Sequence, residues 1–236
     1  MANFLLIHGS CHGAWCWREV IPALNALGHS ARAIDLPGHG ADATPIAQVT
    51  LHSYAQAILD EITTPTILVG HSAAGYPISL AADLAPQKIA RLIYLCAYVP
   101  APGQSLADMR RAGPAQPLAG KIQLSSDRAS YTIDPTHIRD LFYHDCPPGT
   151  LKYAMTRLCP QPVLPHETPL TLGPNYANTK RSYIRCTHDH TIPLAYQSSM
   201  TASWPASNRT EMPTGHSPFF ADPSGLAHLL DQIALT

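Results

Sequence analysis

The stretch Thr64–Leu84, TPTILVGHSAAGYPISLAADL, decides the fold. An apolar, β-branched run (Ile67, Leu68, Val69) meets Gly70-His71-Ser72, and a helical pattern starts at once. No residues remain for a loop. A strand that feeds straight into a helix must reverse within about three residues, with its apex in a strained backbone conformation. The residues two before and two after the apex then approach closely and must be small. Gly70 and Ala74 meet that need, and Gly75 adds room. Ser72 stands at the apex, above the sheet edge and at a helix N-terminus, where unpaired N–H groups favour developing negative charge. Pro77 falls in or beside the first turn, where few N–H groups have partners inside the helix. The pattern G-x-S-x-A makes Ser72 a candidate nucleophile. A serine N-cap on an ordinary helix is the plainer alternative.

On both sides of this turn, short apolar runs alternate with helical patterns. The runs are Phe4–Ile7, Ala31–Ile34, Thr66–Val69, Leu92–Cys96 and Ser182–Cys186. They lack polar alternation, as strands buried on both faces do. Between them, Leu51, Tyr54, Ala55, Ile58, Leu59 and Ile62 form one stripe with Thr50 as its N-cap. Val20, Ile21, Leu24 and Leu27 form another, stopped by Gly28. Leu226, Leu229, Leu230 and Ile233 form a third, opened by Asp222 and Pro223. This alternation predicts an α/β fold, a mostly parallel sheet with helices on both faces. Residues 100–169 depart from it, holding 11 of the 23 prolines and no apolar run of strand type. They are read as an inserted, mainly helical cap, with helical pieces at Thr136–Tyr143 and Gly149–Leu158, on a core formed by residues 1–99 and 170–236.

The 236 residues suit one sizeable domain, and 45% apolar content supplies its core. Only 13% are charged and the net charge is −1, which gives no footprint for nucleic acid and no polybasic membrane patch. The opening MANFLLIHGS is too short in apolar residues for a signal peptide or a membrane span. A cytoplasmic protein is expected, with six free cysteines rather than disulfides.

A serine alone is a weak nucleophile; it needs a base, and the base needs an orienting group. On this architecture the chain order is Ser, then Asp or Glu, then His, each just past a strand end. In SYIRCTHDHTIP a strand ends near Cys186 and Asp189 follows. In TEMPTGHSPFF a short strand, Arg209–Met212, runs into Gly215-His216. Two amide donors must also face the developing oxyanion. The N–H of Ala73, directly after Ser72, is the first; that of Ser10, in the loop after the first strand, is the second.

LIHGSCHGAWCW, GHSAAG, CTHDHTIP and GHSPFF, in this order along the chain, resemble the α/β-hydrolase fold. More narrowly they are similar to the plant methylesterase and hydroxynitrile lyase group and its bacterial esterase relatives. The resemblance implies a catalytic triad of Ser72, Asp189 and His216, with Ser10 and Ala73 as the oxyanion hole. It implies no cofactor and no metal, a small-molecule ester as partner, and leaves a homodimer open, since relatives often dimerise. The lyases of the group carry a threonine where this chain has Gly9 and a lysine where it has Ser217. Gly9 is read as leaving open space for an oxyanion, and nothing supplies a cation beside the histidine. Both favour a serine esterase, and the apolar composition of the cap implies small hydrophobic or aromatic esters. A hydroxynitrile lyase and a slow or non-enzymatic small-molecule receptor of the same fold are the rivals.

Gly9, His12, His71, Phe142, Tyr143 and Tyr153 are the candidate pocket residues, with plain packing as the alternative for the aromatic ones. His39 is read as stabilising its own turn, and Asp35 as structuring its loop. His188 and His190 flank Asp189 without a further ligand cluster, which argues against zinc.

Overall fold

A computed structural model describes residues 1–236. Its first half is strand–helix repetition: β1 (Asn3–Ile7), α1 (Val20–Ala26), β2 (Ser30–Ile34), α2 (Leu51–Asp60), β3 (Thr66–His71), α3 (Gly75–Leu84) and β4 (Ile89–Leu95). Capping follows the sequence. Thr50 accepts the Ser53 amide at the start of α2, and Gly28 turns the chain after α1 with φ +85°.

Residues 100–169 contain α4 (Leu106–Ala112), β5 (Ile122–Leu124), β6 (Ser130–Ile133), α5 (Pro135–Phe142), α6 (Thr150–Met155), β7 (Gln161–Pro162) and α7 (Leu164–Glu167). Here β5, β6 and β7 pair into a small antiparallel sheet that the sequence did not disclose. Its strands are two to four residues long, and β5 exposes Gln123 and Leu124, so no apolar run marks them. The chain then forms α8 (Pro174–Asn178), β8 (Arg181–Cys186), α9 (Leu194–Met200), β9 (Arg209–Met212), α10 (Pro218–Ala221) and α11 (Pro223–Ala234).

The large sheet runs β2-β1-β3-β4-β8-β9, and every neighbouring pair is parallel. Side chains alternate between its faces, as the two-residue strand period requires. Leu5, Ile7, Leu68, Leu92 and Tyr94 enter the core under α2 and α3. Phe4, Leu6, Val69, Ile93 and Leu95 enter the core under α1 and α11. The two-sided burial expected of the strands holds for β1, β3 and β4 but not for β2. Ser30 is exposed and Ala31–Ile34 are half-buried, because β2 is the sheet's edge and has a partner on one side only. No helix is long and apolar enough to cross a membrane.

Candidate active site

β3 passes into a single 3₁₀ turn, Ser72–Ala74, and then directly into α3. Ser72 has φ +55°, the left-handed region that L-residues avoid. Close packing on every side holds it there. A Cβ on Gly70 would stand 2.7 Å from Ile78 Cδ1 and 3.0 Å from the Ala74 carbonyl. The Tyr98 amide donates to the Ser72 carbonyl (3.1 Å), fastening the turn to the chain leaving β4.

Asp189 follows β8 and His216 follows β9, so parallel strands bring both to the same sheet end as Ser72. His216 Nδ1 donates to Asp189 Oδ2 (2.8 Å), and the Ser72 hydroxyl donates to His216 Nε2 (3.0 Å). All three are buried, Asp189 and Ser72 at 7% exposure and His216 at 2%. The other Asp189 oxygen accepts the amides of Thr191 (2.6 Å) and Ile192 (2.9 Å). Gln197, on α9, donates to Asp189 Oδ2 (3.2 Å) and to the Cys186 and Ile192 carbonyls. This glutamine is fully buried, and nothing near it in sequence signalled its role. The arrangement can draw a proton from a serine hydroxyl while a fixed carboxylate holds the imidazole in the required tautomer.

His71 is buried behind this row. Its Nε2 donates to the His216 carbonyl (2.7 Å), and its Nδ1 has no partner. Burial, with His216 and His12 adding like charge, keeps its pKa well below the ordinary histidine value. His71, Cys96 and His216 hold ligand-type atoms within 4.8 Å of one another. Both His216 nitrogens and the His71 Nε2 are already engaged, so the cluster offers a metal little.

The loop after β1 carries Ser10. The Ser10 N–H donates to no group of the protein, and Ser10 and Ala73 together line a cavity with Ser72 and His216. His12 shapes this loop from the side. Its Nδ1 donates to the Ser10 carbonyl (2.7 Å), and its Nε2 accepts the Tyr143 hydroxyl (2.6 Å). Burial pushes the His12 pKa down to about 4 and so keeps the ring neutral, while the Ser10 carbonyl fixes its proton on Nδ1.

His12, His71 and Phe142 line the cavity; three other candidates do not. Tyr143 is buried behind His12 and reaches the site only through that hydrogen bond. Tyr153 lies at the surface, its ring held between Arg18 (3.9 Å) and Arg157 (3.8 Å). Gly9 borders a neighbouring cavity on the far side of Ser10 and Ala73. It also does not face open space. A Cβ at this position would stand 2.9 Å from Ser72 Cβ and 2.8 Å from His71 Nδ1. The glycine is needed for backbone contact with the serine turn. His39 does more than brace its own turn: beside the Pro37 carbonyl it also contacts Gln161 (3.1 Å). Asp35 accepts the amides of Ala14 and Ala41, joining two loops. Arg110, Leu106, Leu118, Tyr131 and Ile133 complete the cavity from residues 100–169.

The chain matches the alpha/beta hydrolase family over residues 4–229. It is 30% identical to esterase PIR7B of Oryza sativa subsp. japonica, covering 98% of this chain and 95% of that one. Methylesterase 7 of Arabidopsis thaliana is also 30% identical, with 98% and 96% covered. A pyrethroid hydrolase from Sphingobium faniae JZ-2 superposes with a TM-score of 0.86 at 28% identity, covering 99% and 97%.

Proposed function

The chain belongs to the alpha/beta hydrolase family and its methylesterase group, and on that footing we propose that Ser72 is the nucleophile of a serine carboxylesterase. That it is a carboxylic ester hydrolase follows from its full-length esterase relatives. The observation that carries the residue assignment is His216, hydrogen-bonded to Ser72 on one ring nitrogen and to Asp189 on the other.

In the reaction, Ser72 Oγ attacks the ester carbonyl carbon as His216 Nε2 takes its proton. The carbonyl oxygen becomes an oxyanion, held by the Ser10 and Ala73 amides; one such donor is worth about 10²–10³ in rate. The carbon–oxygen bond to the alcohol breaks, and His216 protonates the leaving oxygen. Water, deprotonated by His216, then attacks the acyl-enzyme and releases the acid. Asp189 stays ionised and holds the imidazolium. Residues 100–169 act as a cap that covers the acyl group, and the methylesterase relative points to a small alcohol such as methanol as the leaving group. A lyase reading gains nothing here: Ser217 follows His216, and its buried hydroxyl is no cation.

The test is covalent. An organophosphonate should add one adduct to Ser72 by mass spectrometry, with methyl ester turnover in the same preparation. Both should vanish in Ser72→Ala, and labelling should fall steeply in His216→Ala. Wild-type turnover in Ser72→Ala would overturn the assignment.

A further inference from the structure

The cavity beside Ser72 has a cation in its wall. Arg110, on α4, lines it next to Leu106, Leu118 and Ile133. Its Nη1 is buried and has no hydrogen-bond partner. No acidic residue lines this cavity. Asp108, on the same helix, and Glu167 are already used: both pair with Arg111, at 3.2 and 2.7 Å. His166 offers no negative charge either. It is buried and neutral, its pKa pushed down to about 3 by burial and by Arg110, and it shares a hydrogen bond with the Tyr131 hydroxyl (3.2 Å). On the outer side, Arg110 and Tyr131 also border a second cavity that adds Arg111, Arg128 and Glu167.

A guanidinium nitrogen removed from water without a counter-charge is unfavourable. Its planar fork fits a carboxylate. A wall meant only for an apolar acyl chain would need no such group among Leu106, Leu118 and Ile133. With methanol as the leaving group, any further functional group of the substrate sits on the acyl side.

We propose that Arg110 binds a carboxylate on the acyl part of the substrate, making monoesters of small dicarboxylic acids the preferred substrates. This rests on the ester hydrolase reading above, and it replaces the purely hydrophobic or aromatic acyl group expected from composition.

The test uses binding, so it does not depend on turnover. Monomethyl adipate and the matching methyl ester amide, its neutral isostere, are titrated calorimetrically into Ser72→Ala protein. The anionic ester should bind about 10- to 100-fold more tightly, as expected for hydrogen bonds to a charged group. That preference should disappear in Ser72→Ala/Arg110→Gln and be partly kept in Ser72→Ala/Arg110→Lys. Equal binding of the two esters to Ser72→Ala protein overturns the proposal, even should the glutamine variant not fold. So does a preference that survives Arg110→Gln. Failure of the hydrolase reading looks different: the wild-type protein would leave both esters intact and form no adduct on Ser72.

Discussion

Tyr98 grips the serine turn through its main chain. Its N–H donates to the Ser72 carbonyl (3.1 Å), and its own carbonyl occupies the space that a Cβ on Gly75 would need. One residue on the chain leaving β4 thereby fixes the apex and the first residue of α3 together.

Gly75→Ala should therefore damage both fold and site. The methyl group must displace the Tyr98 carbonyl, and such overpacking costs about 1–3 kcal/mol. We expect a lower Tm and slower phosphonate labelling of Ser72 in the same variant. Unchanged labelling with a lowered Tm would show that the Tyr98 contact does not set the serine's position.

Ser72→Gly should stabilise the protein while abolishing activity. The φ of +55° costs a non-glycine residue about 1 kcal/mol or more, and glycine escapes that penalty. At this chain length a gain of about 1 kcal/mol raises Tm by roughly 2–4 °C. Ser72→Ala keeps its Cβ and should lack the gain, so comparing the two melting curves separates strain from loss of the hydroxyl. Equal Tm values would mean that the turn is not strained.

Gly9→Ala should lower kcat with a smaller effect on KM. The added Cβ would press on Ser72 Cβ and His71 Nδ1, moving the loop that carries the Ser10 amide. Displacing one oxyanion donor costs about 10²–10³ in rate. Steady-state kinetics on a methyl ester would decide it, and a wild-type kcat would remove Ser10 from the mechanism.

Stability should fall steeply on the acid side of pH 6. Burial holds the pKa values of His8, His12, His39, His71 and His166 below the ordinary histidine value. In the unfolded chain these groups take up protons near pH 6.5, while the folded chain resists until much lower pH, about 4 for His12. The unfolded state thus binds more protons in this window. The stability from keeping the rings neutral is complete above pH 6.5 and is lost as pH falls toward the folded values. Each group contributes more than about 1 kcal/mol per pH unit within its window. Thermal unfolding from pH 7.5 to 4.5 would measure it. A Tm that stays level from pH 7 to 5 would contradict neutral burial of these rings.

Local features of the sequence carried most of the architecture. Ile67–Val69 and the small residues around Ser72 announce strand, turn and helix within one window, because the backbone constraint itself is local. Asp189 and His216 were readable for a related reason: each follows a strand in a parallel sheet, and all such strand ends share one edge. Gln197, Arg110 and the Tyr98 main chain act across the fold, and their neighbours in sequence do not indicate what they touch. Tyr143 and Tyr153 show the same limit from the other side. Both are aromatic residues of one segment, yet one braces His12 and the other lies between two surface arginines. The exposure of β2 depends on strand order, which a single apolar run does not encode.

Hydrogen bonds join residues 100–169 to the loop after β1, among them Tyr143 to His12 (2.6 Å), the Cys11 amide to Gln161 (3.2 Å) and the Cys159 amide to the Cys11 carbonyl (3.0 Å). For anyone wishing to retarget this scaffold, that segment is not an interchangeable module. A transplant from another hydrolase would have to bring its own counterparts of Tyr143, Cys159 and Gln161. Without them the recipient would keep its serine and histidine but lose the hydrogen bonds that hold the loop carrying Ser10.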